Sequence, residues 1–212
     1  MNRRSLLSLA LCLAAALSAP ATAQETAQPP VQAAAPAVAV RVILETSAGT
    51  ILVETDPRAP ITAANFLRYV DEGRFDGMTF YRGMDLGPGY GVVQGGTASA
   101  PDRILPPIAH EPTSQTGLRH VDGALSMARF DPGTADGDFF IIVGNLQGFD
   151  AGRSAPGDPG FAVFGRVVEG MDVVRAILAA PKSPTEGEGF MRGQMLDPRV
   201  QIVSARRVEA VE

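Results

Sequence analysis

Apolar and polar positions fall into step at Val38. Val38, Val40, Val42 and Leu44 alternate with Ala39, Arg41, Ile43 and Glu45, the period of a strand with one well-buried face. Ser47-Ala48-Gly49 reads as a turn, and Ile51 and Val53 carry a second strand, so the stretch predicts a hairpin. Asp56-Pro57 ends it. Pro60 then opens a helical segment, at a position where a missing N–H costs little. Phe66, Leu67 and Val70 form an apolar stripe at helical spacing, closed by Gly73. Short apolar runs follow at 78–81, 92–94, 124–128, 139–143 and 161–167, divided by Gly and Pro clusters. Such a series predicts a sandwich or a barrel. Residues 170–180 read as a second helix with Val173, Val174 and Ile177 inward. Residues 181–198 read as a polar, Gly-rich loop and 200–208 as a last strand.

The chain ahead of this pattern has a different character. Asn2-Arg3-Arg4 is positively charged, residues 6–17 are almost wholly apolar, and Ala21-Thr22-Ala23 supplies small residues before Gln24. These are the three parts of a secretory signal, expected at 1–23. The apolar run falls short of the ~20 residues that span a bilayer. Residues 24–37 are rich in Ala, Pro and Gln, with Pro29, Pro30 and Pro36 opposing a helix, and read as a disordered linker. The domain proper is then 38–208. The only cysteine, Cys12, lies in the leader, so the mature chain is expected to have neither disulfide nor thiol chemistry.

Composition narrows the partners. An apolar fraction of 45% is enough for a real core. The formal charge is −5, and more negative once Arg3 and Arg4 leave with the signal, which argues against a nucleic-acid binder. Several chemical motifs fail on inspection. Residues 87–91 are glycine-rich but lack a phosphate-loop Lys. Asp131, Asp136 and Asp138 do not follow calcium-loop order. His110 and His120 are too few and too isolated for zinc. Ser126 lacks a nucleophile elbow and reads as a strand residue.

Four segments carry a more specific signal. Phe80-Tyr81-Arg82 follows Phe75-Asp76-Gly77, and Val92-Val93-Gln94-Gly95-Gly96 comes next. Leu125-Ser126-Met127-Ala128-Arg129 leads across a loop to Phe139-Phe140-Ile141. Phe161-Ala162-Val163-Phe164-Gly165 precedes Glu169-Gly170-Met171-Asp172-Val173-Val174. In order and spacing this set resembles the cyclophilin family of peptidyl-prolyl cis/trans isomerases, and in particular its exported bacterial members, over residues 38–208. The resemblance implies a mainly β fold: a closed eight-stranded antiparallel barrel capped by two helices. It implies action on X–Pro bonds of polypeptides, without cofactor or metal, by a monomer that leaves the membrane once its signal is removed. The expected location is the periplasm, with full secretion as the other destination.

The residues suit that chemistry. Amide resonance gives the X–Pro bond a rotation barrier of about 18–20 kcal/mol. In the twisted state the proline nitrogen regains its lone pair, so a donor aimed there favours the transition state over the ground state. Arg82, always charged and rich in donors, can supply it, and by resemblance it is the catalytic residue. The resemblance further makes Phe140 the floor of a proline pocket, with Val92, Phe149 and Phe161 as walls. Gln94 would bond the substrate backbone, Ala128 and Arg129 would form the edge on which the peptide main chain pairs, and Phe80 and Tyr81 would flank Arg82. Adjacent Phe139 and Phe140 must face opposite sides of a strand, one core and one groove.

Some positions depart from the family pattern. Residues 83–90 form a longer link than usual. Gly91 stands where an aromatic pocket residue is normal, with Tyr90 able to fill that role if the loop shifts by one. Asp138 replaces a common Gln, and could either pair with Arg82 and damp it or face water. Gly148 takes the usual tryptophan place, and 152–160 is an insert near the pocket rim. Gly91 and Asp138 keep a second reading open, a proline-peptide binding module or chaperone with little catalytic rate.

Overall fold

The computed structural model describes residues 38–208. The expected signal and linker lie outside the described residues. Eight strands close into one antiparallel barrel in the order β1-β2-β7-β5-β6-β4-β3-β8, with β8 returning to β1. They are β1 (Arg41–Thr46), β2 (Gly49–Thr55), β3 (Thr79–Asp85), β4 (Gly91–Gly96), β5 (Ala124–Met127), β6 (Asp138–Val143), β7 (Ala162–Glu169) and β8 (Met195–Arg207). Helices α1 (Pro60–Asp71) and α3 (Met171–Ala179) are the two substantial ones, and α2 (Thr113–Thr116) is a single turn. None of the helices among the described residues is long and apolar enough to cross a membrane.

Alternation decides which side of each strand faces the barrel interior. Val42 and Leu44 of β1 and Ile51 and Val53 of β2 point inward and are fully buried. Phe80, Phe139 and Phe164 meet them from β3, β6 and β7. Phe66 of α1 plugs one end, its ring centroid 5.2–5.4 Å from those of Phe75, Phe139 and Phe164. The carboxylate of buried Glu111 accepts from the Ile61 and Thr62 N–H groups at 3.2 and 2.7 Å, satisfying first-turn donors that the helix cannot. Helix α3 turns Val174, Ile177 and Leu178 into the core at strands β2, β3, β4 and β6.

Three expectations from the pattern change. Val38 is not a buried strand residue: it is 68% exposed, because the ladder of β1 begins at Arg41. The long link at 83–90 is not a loop throughout. Gly83, Met84 and Asp85 extend β3 against Val93, Val92 and Gly91, and only 86–90 turns the chain. The last strand starts at Met195, not at 200. Arg82 pairs with Met195 and Phe80 with Val200, so the intervening residues, Pro198 among them, bulge out where no ladder N–H is required.

Candidate functional site

Backbone register lays the site out as one row across the outer face of the barrel. Met195, Arg82, Gln94, Phe140 and Ser126 are successive cross-strand partners on β8, β3, β4, β6 and β5. The parallel row one residue over, Phe80, Gly95, Phe139 and Met127, lies inside. Phe139 and Phe140 therefore divide as expected, core and groove. Phe80 does not belong to the groove: it is fully buried, its ring edge-on to Phe139 at 5.8 Å, because its side chain takes the inward side of β3.

A β-bulge adds one residue to this row. Between Phe80 and Arg82 the register of β3 shifts, so Tyr81 and Arg82 both oppose the single residue Gln94. Gln94 bonds to each. Arg82 Nη1 donates to Gln94 Oε1 at 2.9 Å, and Gln94 Nε2 donates to the Tyr81 hydroxyl at 2.7 Å. Tyr81 in turn donates to Asp138 Oδ2 at 3.0 Å. Asp138 Oδ1 receives the Ala98 N–H at 2.8 Å and the Thr97 hydroxyl at 3.3 Å. Asp138 thus does not pair with Arg82: half-buried, it binds Tyr81, which stands between them. Burial, and then the Asp138 charge, push the Tyr81 hydroxyl well above its ordinary pKa. Burial also raises the Asp138 carboxyl above the usual range.

Arg82 is 9% exposed, and two more of its five N–H donors are engaged by neutral partners, which leaves one on each terminal nitrogen free. Nε donates to Gln194 Oε1 at 2.8 Å, and Nη2 to Met84 Sδ at 3.4 Å. Phe190 lies over the guanidinium at 5.4 Å. No carboxylate among the described residues forms an ion pair with Arg82. Burial lowers its pKa, but a guanidinium stays protonated in a protein. The cation is held in place without being neutralised.

Phe140, Phe149 and Phe161 form the aromatic part. Their centroids lie 5.3, 5.4 and 6.0 Å apart, with Phe161 edge-on to Phe140. Val92 sits on the same face of β4 as Gln94 and is nearly buried between Met84 and Ile142. Arg129 stacks on Phe161 at 4.9 Å and donates to the carbonyls of Gly160 and Phe130. Ala128 is half-buried beside it, with its N–H given to the Asp138 carbonyl at 2.9 Å, so part of that edge is already paired. The insert at 152–160 closes on itself through Gly152 N–H to Asp158 O at 2.8 Å, and Phe161 N–H bonds Phe149 O at its base.

Neither Tyr90 nor Gly91 stands beside Arg82. Gly91 points inward, where a Cβ would lie 2.6 Å from both Leu178 Cδ2 and the Met84 carbonyl. Tyr90 is 46% exposed and leans on Gly144. The aromatic neighbour of Arg82 is Phe190, from the loop before β8. Phe190 and Gln194 were not singled out from the sequence, because a lone Phe in a polar, Gly-rich stretch has no periodic signal.

A second set of polar residues supports the pocket from behind. His120 lies parallel to Phe140 at 6.2 Å, with Nδ1 2.7 Å from Asp150 Oδ1 and Nε2 3.0 Å from the Ser126 hydroxyl. The atoms follow the order of a Ser-His-Asp triad, but all three residues are buried, so no substrate reaches the hydroxyl. Burial outweighs the Asp150 contact and holds His120 below its ordinary pKa. The set is a hydrogen-bonded brace under the aromatic floor.

A buried, unneutralised cation beside a cluster of three aromatic rings marks this outer face of the closed barrel as the candidate site. Comparison with known proteins agrees. Residues 41–206 match the family model described as "Cyclophilin type peptidyl-prolyl cis-trans isomerase/CLD". The chain is 40% identical over 153 residues to a peptidyl-prolyl cis-trans isomerase of Streptomyces antibioticus, covering 69% of this chain and 87% of that one. It is 37% identical over 142 residues to peptidyl-prolyl cis-trans isomerase B of Escherichia coli, covering 64% and 82%. A cyclophilin-type isomerase of Cryptosporidium parvum, crystallised in the presence of the dipeptide Ala-Pro, shares the fold with a TM-score of 0.64 at 18% identity, covering 80% of this chain and 99% of that one. The chain belongs to the cyclophilin-type peptidyl-prolyl cis-trans isomerases, and its activity is the isomerisation of X–Pro bonds.

Proposed function

We propose that this isomerase works on exported polypeptides after losing residues 1–23, with Arg82 as the electrophilic group and Phe140, Phe149 and Phe161 as the proline pocket. The observation that carries the site assignment is the continuous outer row Arg82, Gln94, Phe140. A proline ring seated on Phe140 puts its imide near the guanidinium. As the bond twists, the nitrogen becomes pyramidal and Arg82 donates to the lone pair, an interaction absent from the planar ground state. No proton leaves Arg82 and no covalent bond forms. The Ala-Pro dipeptide used with the Cryptosporidium relative fits a ligand of this kind. Val92 packs the pocket wall, and Arg129 on Phe161 keeps the rim closed.

A catalytically weak binding module is the less favoured reading. Asp138 engages Tyr81 rather than Arg82, and Gly91 faces Leu178 rather than the groove, so neither departure blunts the cation. The test is protease-free exchange spectroscopy on a capped Ala-Pro peptide with chain 24–212. Acceleration that falls about a hundredfold in Arg82→Ala, with the fold kept, supports catalysis at this site. Peptide binding without acceleration supports the module. Export is tested separately: the periplasmic fraction of an expressing bacterium should contain chain starting at Gln24. Chain found only in the cytoplasm, starting at Met1, contradicts it.

A further inference from the structure

We infer that Asp138 is a positioning residue of this site: by accepting from Tyr81 it sets the direction of a hydrogen-bond chain that turns the Gln94 carbonyl, and not its NH2, toward Arg82. The inference rests on the assignment of catalysis to Arg82.

Each link is fixed by what its atoms can do. An ionised carboxylate only accepts, so the Tyr81 O–H must donate to Asp138 Oδ2. The Tyr81 oxygen is then free to accept, and Gln94 answers with Nε2. That leaves Oε1 for Arg82 Nη1, which has no acceptor capacity of its own. The far end is anchored by the backbone. The Ala98 N–H, a donor that cannot be reversed, occupies Asp138 Oδ1.

This anchor makes the chain reversible by one proton. When Asp138 takes up a proton, Oδ1 already accepts from both the Ala98 N–H and the Thr97 hydroxyl, so the proton goes to Oδ2 and points at the Tyr81 oxygen. The Tyr81 proton, displaced from Asp138, then turns toward Gln94, where it meets an acceptor only if the amide turns its carbonyl to Tyr81. Its NH2 then faces the Arg82 guanidinium, donor against donor. Asp138→Asn does the same permanently: Oδ1 stays at the Ala98 N–H and Nδ2 replaces Oδ2 at Tyr81. The orientation needed at Arg82 is therefore present when Asp138 is ionised and lost as the pH falls through its folded pKa, which burial raises and the nearby Asp136 charge raises further. The titratable and charged groups around Asp138 are Tyr81 on β3, Asp136 on its own segment, Tyr69 of α1, and Arg82 at the far end of the chain. Neither tyrosine ionises on the acid side, because burial raises both hydroxyls.

The test is exchange spectroscopy from neutral to acid pH on a capped Ala-Pro peptide that has no titratable group. Wild-type kcat/KM should fall on the acid side, and Tyr81→Phe, which cuts the chain, should flatten that limb. Asp138→Asn should lie about tenfold below wild type at neutral pH and show no acid limb. Adding Tyr81→Phe to Asp138→Asn removes the reversed donor, so the double variant should recover to the level of Tyr81→Phe alone. A merely structural Asp138 gives a double variant no better than Asp138→Asn, and that result overturns the inference. Arg82→Ala separates the levels. If it is inactive while Asp138→Asn matches wild type, only the positioning role falls; if it is fully active, the site assignment falls and the inference with it. Should Asp138→Asn not fold, the wild-type Gln94 side-chain amide resonance decides. It should shift along the acid limb, and a constant position through that limb contradicts the chain.

Discussion

Arg82 and Phe140 are both direct register partners of Gln94, one on each side of it, so the guanidinium and the Phe140 ring stand a single strand apart on the outer face of the barrel. The spacing is set by hydrogen-bonded ladder geometry rather than by loops. Side chains on neighbouring strands lie about 5 Å apart. The separation therefore cannot drift without breaking the barrel.

Gly91 is retained for space, not for a turn. A methyl group there would sit 2.6 Å from the Met84 carbonyl and from Leu178 of α3. Gly91→Ala should destabilise the domain by about 1–3 kcal/mol, the usual cost of overpacking, read by denaturant unfolding. The folded fraction should keep its kcat, since the added carbon points away from Arg82.

Gln194 takes the Nε donor of Arg82 and is tied back to the Phe190 carbonyl at 2.8 Å. Removing a bond to a charged group matters more than removing a neutral one. Gln194→Ala should lower kcat/KM about tenfold with little change in unfolding midpoint. Phe190→Ala should act mainly on KM, because an aromatic ring 77% exposed over the guanidinium is placed to touch peptide. Wild-type kinetics in both variants would remove the loop before β8 from the site.

His120 gives stability a pH dependence of known sign. Burial lowers its folded pKa below the unfolded value of about 6.5. The unfolded chain then binds the extra proton, so His120's contribution is whole above pH ~6.5 and lost as the pH falls toward the folded pKa. Asp138 works in the opposite sense: its raised carboxyl contributes stability at low pH that is lost as the pH rises through its folded pKa. His120→Asn isolates the first effect. Its unfolding free energy should vary less than wild type between about pH 6.5 and 5. An unchanged slope would mean that His120 takes up its proton equally in the folded and unfolded protein, and would contradict the lowered folded pKa.

Much of this fold was legible because local rules and the barrel agree. Val42, Leu44, Ile51 and Val53 alternate as the buried faces of a hairpin must, and Phe66 lies on the apolar stripe of α1. Adjacent Phe139 and Phe140 had to part company on a strand, and they do. What was not legible depends on three or more distant segments at once. The partner of Asp138 is Tyr81, 57 residues away, and only the β3 bulge brings it there. His120 and Ser126 looked ordinary alone and Asp150 carried no signal, since the sequence does not say that β5 and the turn after β6 meet behind Phe140. Gln194 and Phe190 were hidden in a loop whose composition signals only solvent. Phe80, by contrast, was misread through Arg82: two residues before it, Phe80 would share its face in a regular strand, but the bulge at Tyr81 turns the two to opposite sides.

The central claim is that Arg82 acts on the twisted bond and not merely on the bound peptide. The most direct measurement is the cis–trans exchange rate of an Ala-Pro peptide at saturating concentration on wild type and on Arg82→Ala, where binding no longer limits the rate. The on-enzyme rate should fall about a hundredfold in the variant while the dissociation constant changes far less. An on-enzyme rate equal to that of wild type would contradict the account.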